Sequence, residues 1–296
     1  MKHIKLLYLF LLISWSSLPL QAADYLLQSP NGKLTVEIET KGQLSYTLKH
    51  NSQTLLDKSP IGLLLEDKIL GEDIKISRIK RNSSVKEHIV SPHYRLPSFE
   101  VTYNELNLKF KGNYGIIFRA YNEGIAYRFY TTMKGPLIIK DEMVQMNFPK
   151  DYPTFMSYST MPTGEDQYAM AFQNLYTKSS IKGVDTNNIA FLPITIDCGN
   201  ELKMTLLESD LEDYPGMFIK GDGKNTSLQG TFAHYPSEIK NFPPRAMKRI
   251  TKRTDYIART TGERNYPWRI WAITEKDTEM PVNNLVYALA SPNRIG

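Results

Sequence analysis

From Ser29 onward the dominant hydrophobic period is two. Leu34, Val36 and Ile38 alternate with Thr35, Glu37 and Glu39. Lys41-Gly42 marks a turn, after which Leu44, Tyr46 and Leu48 alternate with Ser45, Thr47 and Lys49. The pattern predicts a hairpin with one buried and one wet face. Leu106, Leu108 and Phe110 repeat it. Residues 116–121 and 125–130 are apolar-aromatic runs separated by Asn122-Glu123-Gly124, with glycine where a turn needs a positive φ. Further strands are predicted over 189–196, 202–207, 217–220, 228–233 and 268–274, with a turn around Gly221-Asp222-Gly223. The body of the chain holds no helical stripe of about 12 or more residues. Only near the end do Val282, Leu285, Val286 and Leu289 fall at i, i+3, i+4 and i+7, with Pro281 suited to the first turn and Pro292 just past the last. Many strands without βα alternation predict an all-β fold: one large antiparallel β-sandwich over 24–280, then a short C-terminal helix and the start of a linker over 281–296.

The first 23 residues break the pattern. Lys2 and Lys5 precede an apolar stretch from Leu6 to Leu20, and Gln21-Ala22-Ala23 closes it with small residues. That is the layout of a cleaved signal peptide, so the mature protein is expected to be exported, periplasmic and free of the membrane. No cysteine follows the apolar run to be acylated. Cys198 is the one cysteine in 296 residues, which excludes an intrachain disulfide framework and a thiolate-built zinc site and fits a bacterial periplasm. The formal charge of +5 falls to about +3 without Lys2 and Lys5, with acids and bases interspersed. Such a balance leaves no electrostatic footprint for nucleic acid.

Candidate chemistry is sparse. There is no H-x-x-x-H, no G-x-S-x-G, no glycine-rich phosphate loop and no paired Cys/His motif. His50, His88, His93 and His234 are scattered, as expected of surface or structurally satisfied histidines. The densest acidic group is Glu208, Asp210, Glu212 and Asp213. It can hold a hard cation or sugar hydroxyls, but charge runs before a Pro-Gly break more often form a solvated turn. The supply of 18 Tyr, 12 Phe and 3 Trp suits stacking on sugar rings, and equally suits half-buried strands. The stretch 152–176 is polar, aromatic and irregular. Pro153 is expected to break any strand there, and so long a loop is either functional or a surface excursion.

Five segments carry a resemblance: Ser29-Pro30-Asn31-Gly32-Lys33, Tyr103-Asn104-Glu105-Leu106, the run from Phe118 to Phe129, the run from Glu208 to Gly216, and Pro267-Trp268-Arg269. In this order they resemble the N-terminal domain of glycoside hydrolase family 97 over about residues 25–293. That family comprises periplasmic α-glucosidases and α-galactosidases of Bacteroidetes-type glycan utilisation. The resemblance implies a β-supersandwich like that of galactose mutarotases. It also implies that a catalytic (β/α)₈ barrel, following the sandwich, supplies the carboxylates that cleave the glycoside and most ligands of a calcium ion. The chain ends at Gly296, about where the linker to that barrel is expected. In the family a Glu three residues before a Tyr in the long loop ligates the calcium. Gln173 of Gln173-Asn174-Leu175-Tyr176 stands at the matching position, and one neutral oxygen cannot by itself hold a cation that takes about six to eight.

The resemblance therefore implies a non-catalytic, carbohydrate-binding module. It would pack against a glycosidase barrel, in cis or in trans, and wall its cleft for α-linked glucosides or galactosides. No catalytic residue and no cofactor bound by this chain alone is expected; calcium belongs to the full-length family. The alternative is a stand-alone mutarotase-like sugar epimerase, which needs a general acid and base about one sugar. His234 with Glu208 or Asp210 are its candidates.

Overall fold

A computed structural model describes residues 24–92, 94–161, 166–169, 172–243, 247–292 and 294. The export signal read at 1–23 lies outside them, as does His93. The chain begins with β1 (Tyr25–Gln28), β2 (Leu34–Glu39), β3 (Ser45–His50) and β4 (Gln53–Leu65). The predicted alternation holds: Leu34, Val36 and Ile38 are buried, and Val36 stands opposite Leu48 across the hairpin. There follow β5 (Ile69–Leu70), β6 (Ile76–Val90), β7 (Ser98–Phe110), β8 (Tyr114–Tyr121) and the 24-residue β9 (Gly124–Asn147). The next group is β10 (Pro153–Tyr158), β11 (Thr177–Ser180), β12 (Ala190–Asp197), β13 (Lys203–Ser209), β14 (Met217–Gly221) and β15 (Ser227–Phe232). The hairpin β16 (Pro236–Phe242) and β17 (Met247–Arg253) pairs only with itself, and β18 (Ala258–Asn265) and β19 (Trp268–Thr274) complete the strands.

All pairings are antiparallel, and they close on themselves. β9 pairs with β19 near its start, β19 with β13, β13 with β12, β12 with β14, β14 with β15, and β15 with the far end of β9. β4 joins the first hairpin to this ring, pairing with β3 through its first half and with β9 through its second. The strands thus enclose one main core. Trp271 donates its indole N–H to the buried Tyr46 hydroxyl at 2.9 Å, and Tyr46, Phe118 and Tyr127 pack with ring centroids 5.4–6.1 Å apart. β19 is apolar on both faces because both are covered. Arg269, Trp271 and Ile273 face this core. Trp268, Ile270 and Ala272 face a second cluster with Val101, Tyr103, Leu285 and Leu289.

Two expectations change. Pro153 does not end a strand; it begins β10, exposed, where no N–H is needed. The C-terminal helix is shorter than its apolar stripe. Asp277–Val282, with Pro281 inside it, forms a 3₁₀ segment, and only α1 (Leu285–Leu289) is α-helical. Val282 is correspondingly exposed, while Leu285 and Leu289 are buried.

The predicted turn at 221–223 is built around one carboxylate. Asp222 accepts the backbone N–H groups of Lys224 and Asn225 at 3.0 and 2.8 Å and the Ser227 hydroxyl at 2.5 Å. Burial opposes its ionisation, but these hydrogen bonds prevail and hold its pKa at about 2. A depressed carboxylate contributes stability that is present above its unfolded pKa and is lost as pH falls toward the folded value. We expect the Asp222 carboxyl resonance to titrate near pH 2 and to move toward 3.8 in Ser227→Ala. A midpoint unchanged by that substitution would contradict this account of the turn.

Candidate functional site

The central chemical feature is an arginine in the main core. The Arg269 side chain is 1% exposed. Its Nε and one terminal nitrogen donate to the two oxygens of Glu142 at 2.9 and 2.6 Å, and its other nitrogen donates to Glu208 at 2.6 Å. Glu208 also accepts the Met217 N–H. Three strands thus converge on one guanidinium: β9 brings Glu142, β13 brings Glu208 and β19 brings Arg269. Burial pushes the Glu208 carboxyl up, and Arg269 pulls against it. Tyr214 stands beside this group, its phenol pushed well above the usual range by burial and next by the Glu142 charge. A bidentate guanidinium–carboxylate pair with an added carboxylate locks positions, and no proton here is available for transfer to a ligand.

Above this anchor lies a groove of two hollows, about 400 and 510 Å³, which meet at His234 and Arg253. Asp166, Gln167 and Tyr168 of the long loop line one side, and Tyr214, Arg264 and the start of β18 the other. The loop is fastened here. Arg253 donates twice to Asp166 at 2.9 Å, and Tyr168 shares a 2.8 Å hydrogen bond with Thr231. The buried Gln167 side chain donates to the Asn187 carbonyl and accepts the Ile189 N–H. The ring of Phe172 packs on Phe191 and Phe218. Much of the irregular segment is therefore a fixed rim of aromatic and planar polar side chains.

The residues singled out in the sequence do not assemble into one site. Of the acidic run, Glu208 is bound by Arg269 and Asp210 by Arg128 at 2.9 Å. Glu212 pairs with Arg294, and Asp213 lines the groove. Asp210 and Asp213 both adopt positive φ, 65° and 49°, so the run is a tight turn held by arginines. The ring N–H of His234 at Nδ1 donates to the Thr254 carbonyl at 2.9 Å, while Glu208 and Asp210 are paired with Arg269 and Arg128. The acid–base set of an epimerase is not made from these three. His50 pairs with Glu275 and His88 with Glu100.

Gln173 is exposed beside Asn174, whose amide is engaged with the Tyr158 carbonyl and the Leu175 N–H. Among the described residues no group of three or more His, Cys, Asp or Glu converges as a metal site. One neutral amide oxygen does not by itself fit a calcium ion, which needs about six to eight oxygens.

Sequence reasoning missed Arg269, Glu142 and Arg253 as site residues, while Asp166 and Tyr168 lie in the irregular stretch it marked without assigning them roles. For Arg269 a signal existed: a cation inside the apolar run Trp268–Thr274 demands a buried partner. Of its partners, each more than 50 residues away, Glu208 stands out only as part of the acidic run, and Glu142 gives no signal.

The family described as Glycosyl-hydrolase 97 N-terminal matches residues 27–292. A retaining alpha-galactosidase of Bacteroides thetaiotaomicron is 34% identical over 299 residues, covering 98% of this chain and 45% of that protein. A glycoside hydrolase family 97 enzyme from Pseudoalteromonas, solved with acarbose, superposes with a TM-score of 0.73 at 17% identity, covering 92% of this chain and 39% of that one. A beta-arabinopyranosidase superposes with a TM-score of 0.69 at 16% identity, over 86% and 40% of the two chains. At these identities the structures establish the fold alone. The chain spans less than half the length of each relative.

Proposed function

Because the chain belongs to the glycosyl-hydrolase 97 N-terminal family, we propose that it is the non-catalytic, carbohydrate-facing module of an α-glycosidase. It is exported to the periplasm and packs, in cis or in trans, against a catalytic barrel whose cleft for α-linked galactosides or glucosides it walls. The retaining alpha-galactosidase relative favours galactosides. The observation that carries the reading is the state of the carboxylates. Glycoside cleavage needs an acid and a base or nucleophile on either side of one bond. Here Glu142 and Glu208 are locked by Arg269, Asp210 by Arg128 and Asp166 by Arg253. Besides one further carboxylate, Asp213, the groove offers Tyr168, Tyr214, His234 and three arginines, Arg253, Arg259 and Arg264, which suit contact with sugar faces and hydroxyls.

The test uses the purified chain with p-nitrophenyl α-galactoside and α-glucoside. No release of nitrophenol is expected, whereas the amides around Tyr168 and His234 should shift on titration with methyl α-galactoside, and not in Tyr168→Ala. Turnover by the chain would refute the non-catalytic reading. Absence of any shift would refute the groove as a sugar contact.

A further inference from the structure

The outer face of the β6–β9 sheet carries a further hollow, about 400 Å³, that shares no lining residue with the groove and extends the reading above to a different ligand class. It is lined by Arg78, Lys80, Asn107, Lys109, Ile117, Tyr130 and Asn265. The register explains how these residues meet. Arg78 stands opposite Lys109, Lys109 opposite Gly115, Gly115 opposite Tyr130, and Tyr130 opposite Asn265, one row across five strands. The next row holds Lys80, Asn107 and Ile117.

Gly115 makes the floor. A Cβ there would lie 2.4 Å from the Tyr130 hydroxyl oxygen and 2.5 Å from the ring carbon that bears it. Only a residue without a side chain lets the Tyr130 ring lie across the sheet. Its hydroxyl then donates to Asn107 at 2.9 Å, which fixes the ring in that pose. A flat phenol ring is thereby set on the floor of a hollow beside the two amides, Asn107 and Asn265.

The walls are cationic. Among the described residues none of Arg78, Lys80 or Lys109 forms an ion pair, and no acid lines the hollow. Elsewhere on this face the charges are matched: Arg119 pairs with Glu105, and Arg128 with Asp210. Three adjacent unpaired cations repel one another, and an anionic ligand would relieve that cost.

We infer that this hollow is a binding site for an acidic sugar, a hexuronic acid residue of a glycan. The C–H face of its ring stacks on Tyr130, its carboxylate meets Lys80, Lys109 and Arg78, and its hydroxyls meet Asn107 and Asn265. A bare inorganic anion would use the cations and leave the aromatic floor idle. A neutral sugar would use the floor and leave the cations unpaired.

The experiment is an NMR titration of the chain with methyl α-D-galacturonide, its uncharged methyl ester and sodium sulfate, at matched ionic strength. The galacturonide is expected to shift the Lys109, Gly115 and Tyr130 amides and to bind at least about 10-fold tighter than the ester. Lys80→Ala and Lys109→Ala should each weaken it about 10-fold or more, Tyr130→Ala likewise, and Tyr130→Phe, which keeps the ring, about 3-fold or less. Equal affinity for acid and ester overturns the proposal. So does sulfate binding as tightly as galacturonide with no effect of Tyr130→Ala, which would mark an anion site only. Absence of any shift at about 50 mM galacturonide also overturns it. Methyl α-galactoside binding at the groove is read from different amides, so either site can fail without the other.

Discussion

Arg269→Met is expected to lower the free energy of unfolding by about 3–5 kcal/mol, because it leaves two carboxylates in the core without their cation. Glu142 would lose both hydrogen bonds that Arg269 now supplies, and Glu208 would keep only the Met217 N–H. Lost packing makes a competing account, since the guanidinium also lies 5.2 Å from the Phe232 ring centroid. The two accounts separate in the double variant Glu142→Leu, Arg269→Met. If the uncompensated charge dominates, removing its main holder restores at least half of the lost stability; if packing dominates, the double variant is no better than the single one. The pH dependence gives a second check. In Arg269→Met the Glu208 carboxyl, which burial already raises, loses the cation that opposes the rise, so the penalty is fully developed at neutral pH. It shrinks as pH falls through the raised pKa toward about 4.3, where the unfolded chain protonates too. Urea titrations at pH 7 and pH 5 should therefore show a smaller gap between variant and wild type at the lower pH. An equal gap at both would mean that the carboxylates stay satisfied without the arginine.

The strands legible in the sequence are those with one wet and one buried face, such as β2 and β3, or with a continuous apolar run, such as β12 and β19. In each the burial pattern is written in consecutive residues. The hairpin β16–β17 escaped because it is polar on both faces: Ile239, Phe242 and Met247 are exposed there, among Lys240, Lys248 and Arg249. β10 is hidden by Pro153, which breaks a strand from within but is tolerated at its first residue, where it stands here. The groove was half legible. An irregular segment of about 25 residues inside a regular β protein marked the rim, but its anchors, Arg253 on Asp166 and Tyr168 on Thr231, are pairings across 60 residues or more. Such contacts follow from the closure of the sheet and leave no local pattern. The same holds for Gly115 under Tyr130, which sit in neighbouring strands and become partners only through register.

Gly124→Ala is expected to cost about 3 kcal/mol, the upper range for forcing a methyl into a filled space. The Gly124 Cα faces the backbone of β19, and a Cβ would lie 2.3 Å from the Trp271 carbonyl oxygen and 2.6 Å from a Leu285 methyl. Backbone oxygen cannot step aside as a flexible side chain can, so either β19 shifts in the sheet or α1 lifts away. The second route is the easier. α1 is five residues long and rests on Leu285, Ala288 and Leu289, while β19 is paired along seven residues with β13. The lead into α1 is clipped to the same turn, since the Asn283 amide donates to the Glu123 carbonyl, so a strained turn loosens both. Hydrogen exchange should then show faster amides at Tyr287 and Ala288, whose N–H groups bond to the Asn284 carbonyl, with little change in the β13–β19 ladder. Gly135 provides the comparison, for it has a φ of 75° and nothing within 4 Å of a Cβ. Gly135→Asn should change stability by less than about 1 kcal/mol, because asparagine tolerates that conformation. If Gly124→Ala melted at the wild-type temperature with α1 equally protected, close approach would not be the reason for glycine at this turn. If instead the β13–β19 ladder loosened first, the seat of α1 would be firmer than the sheet beneath it.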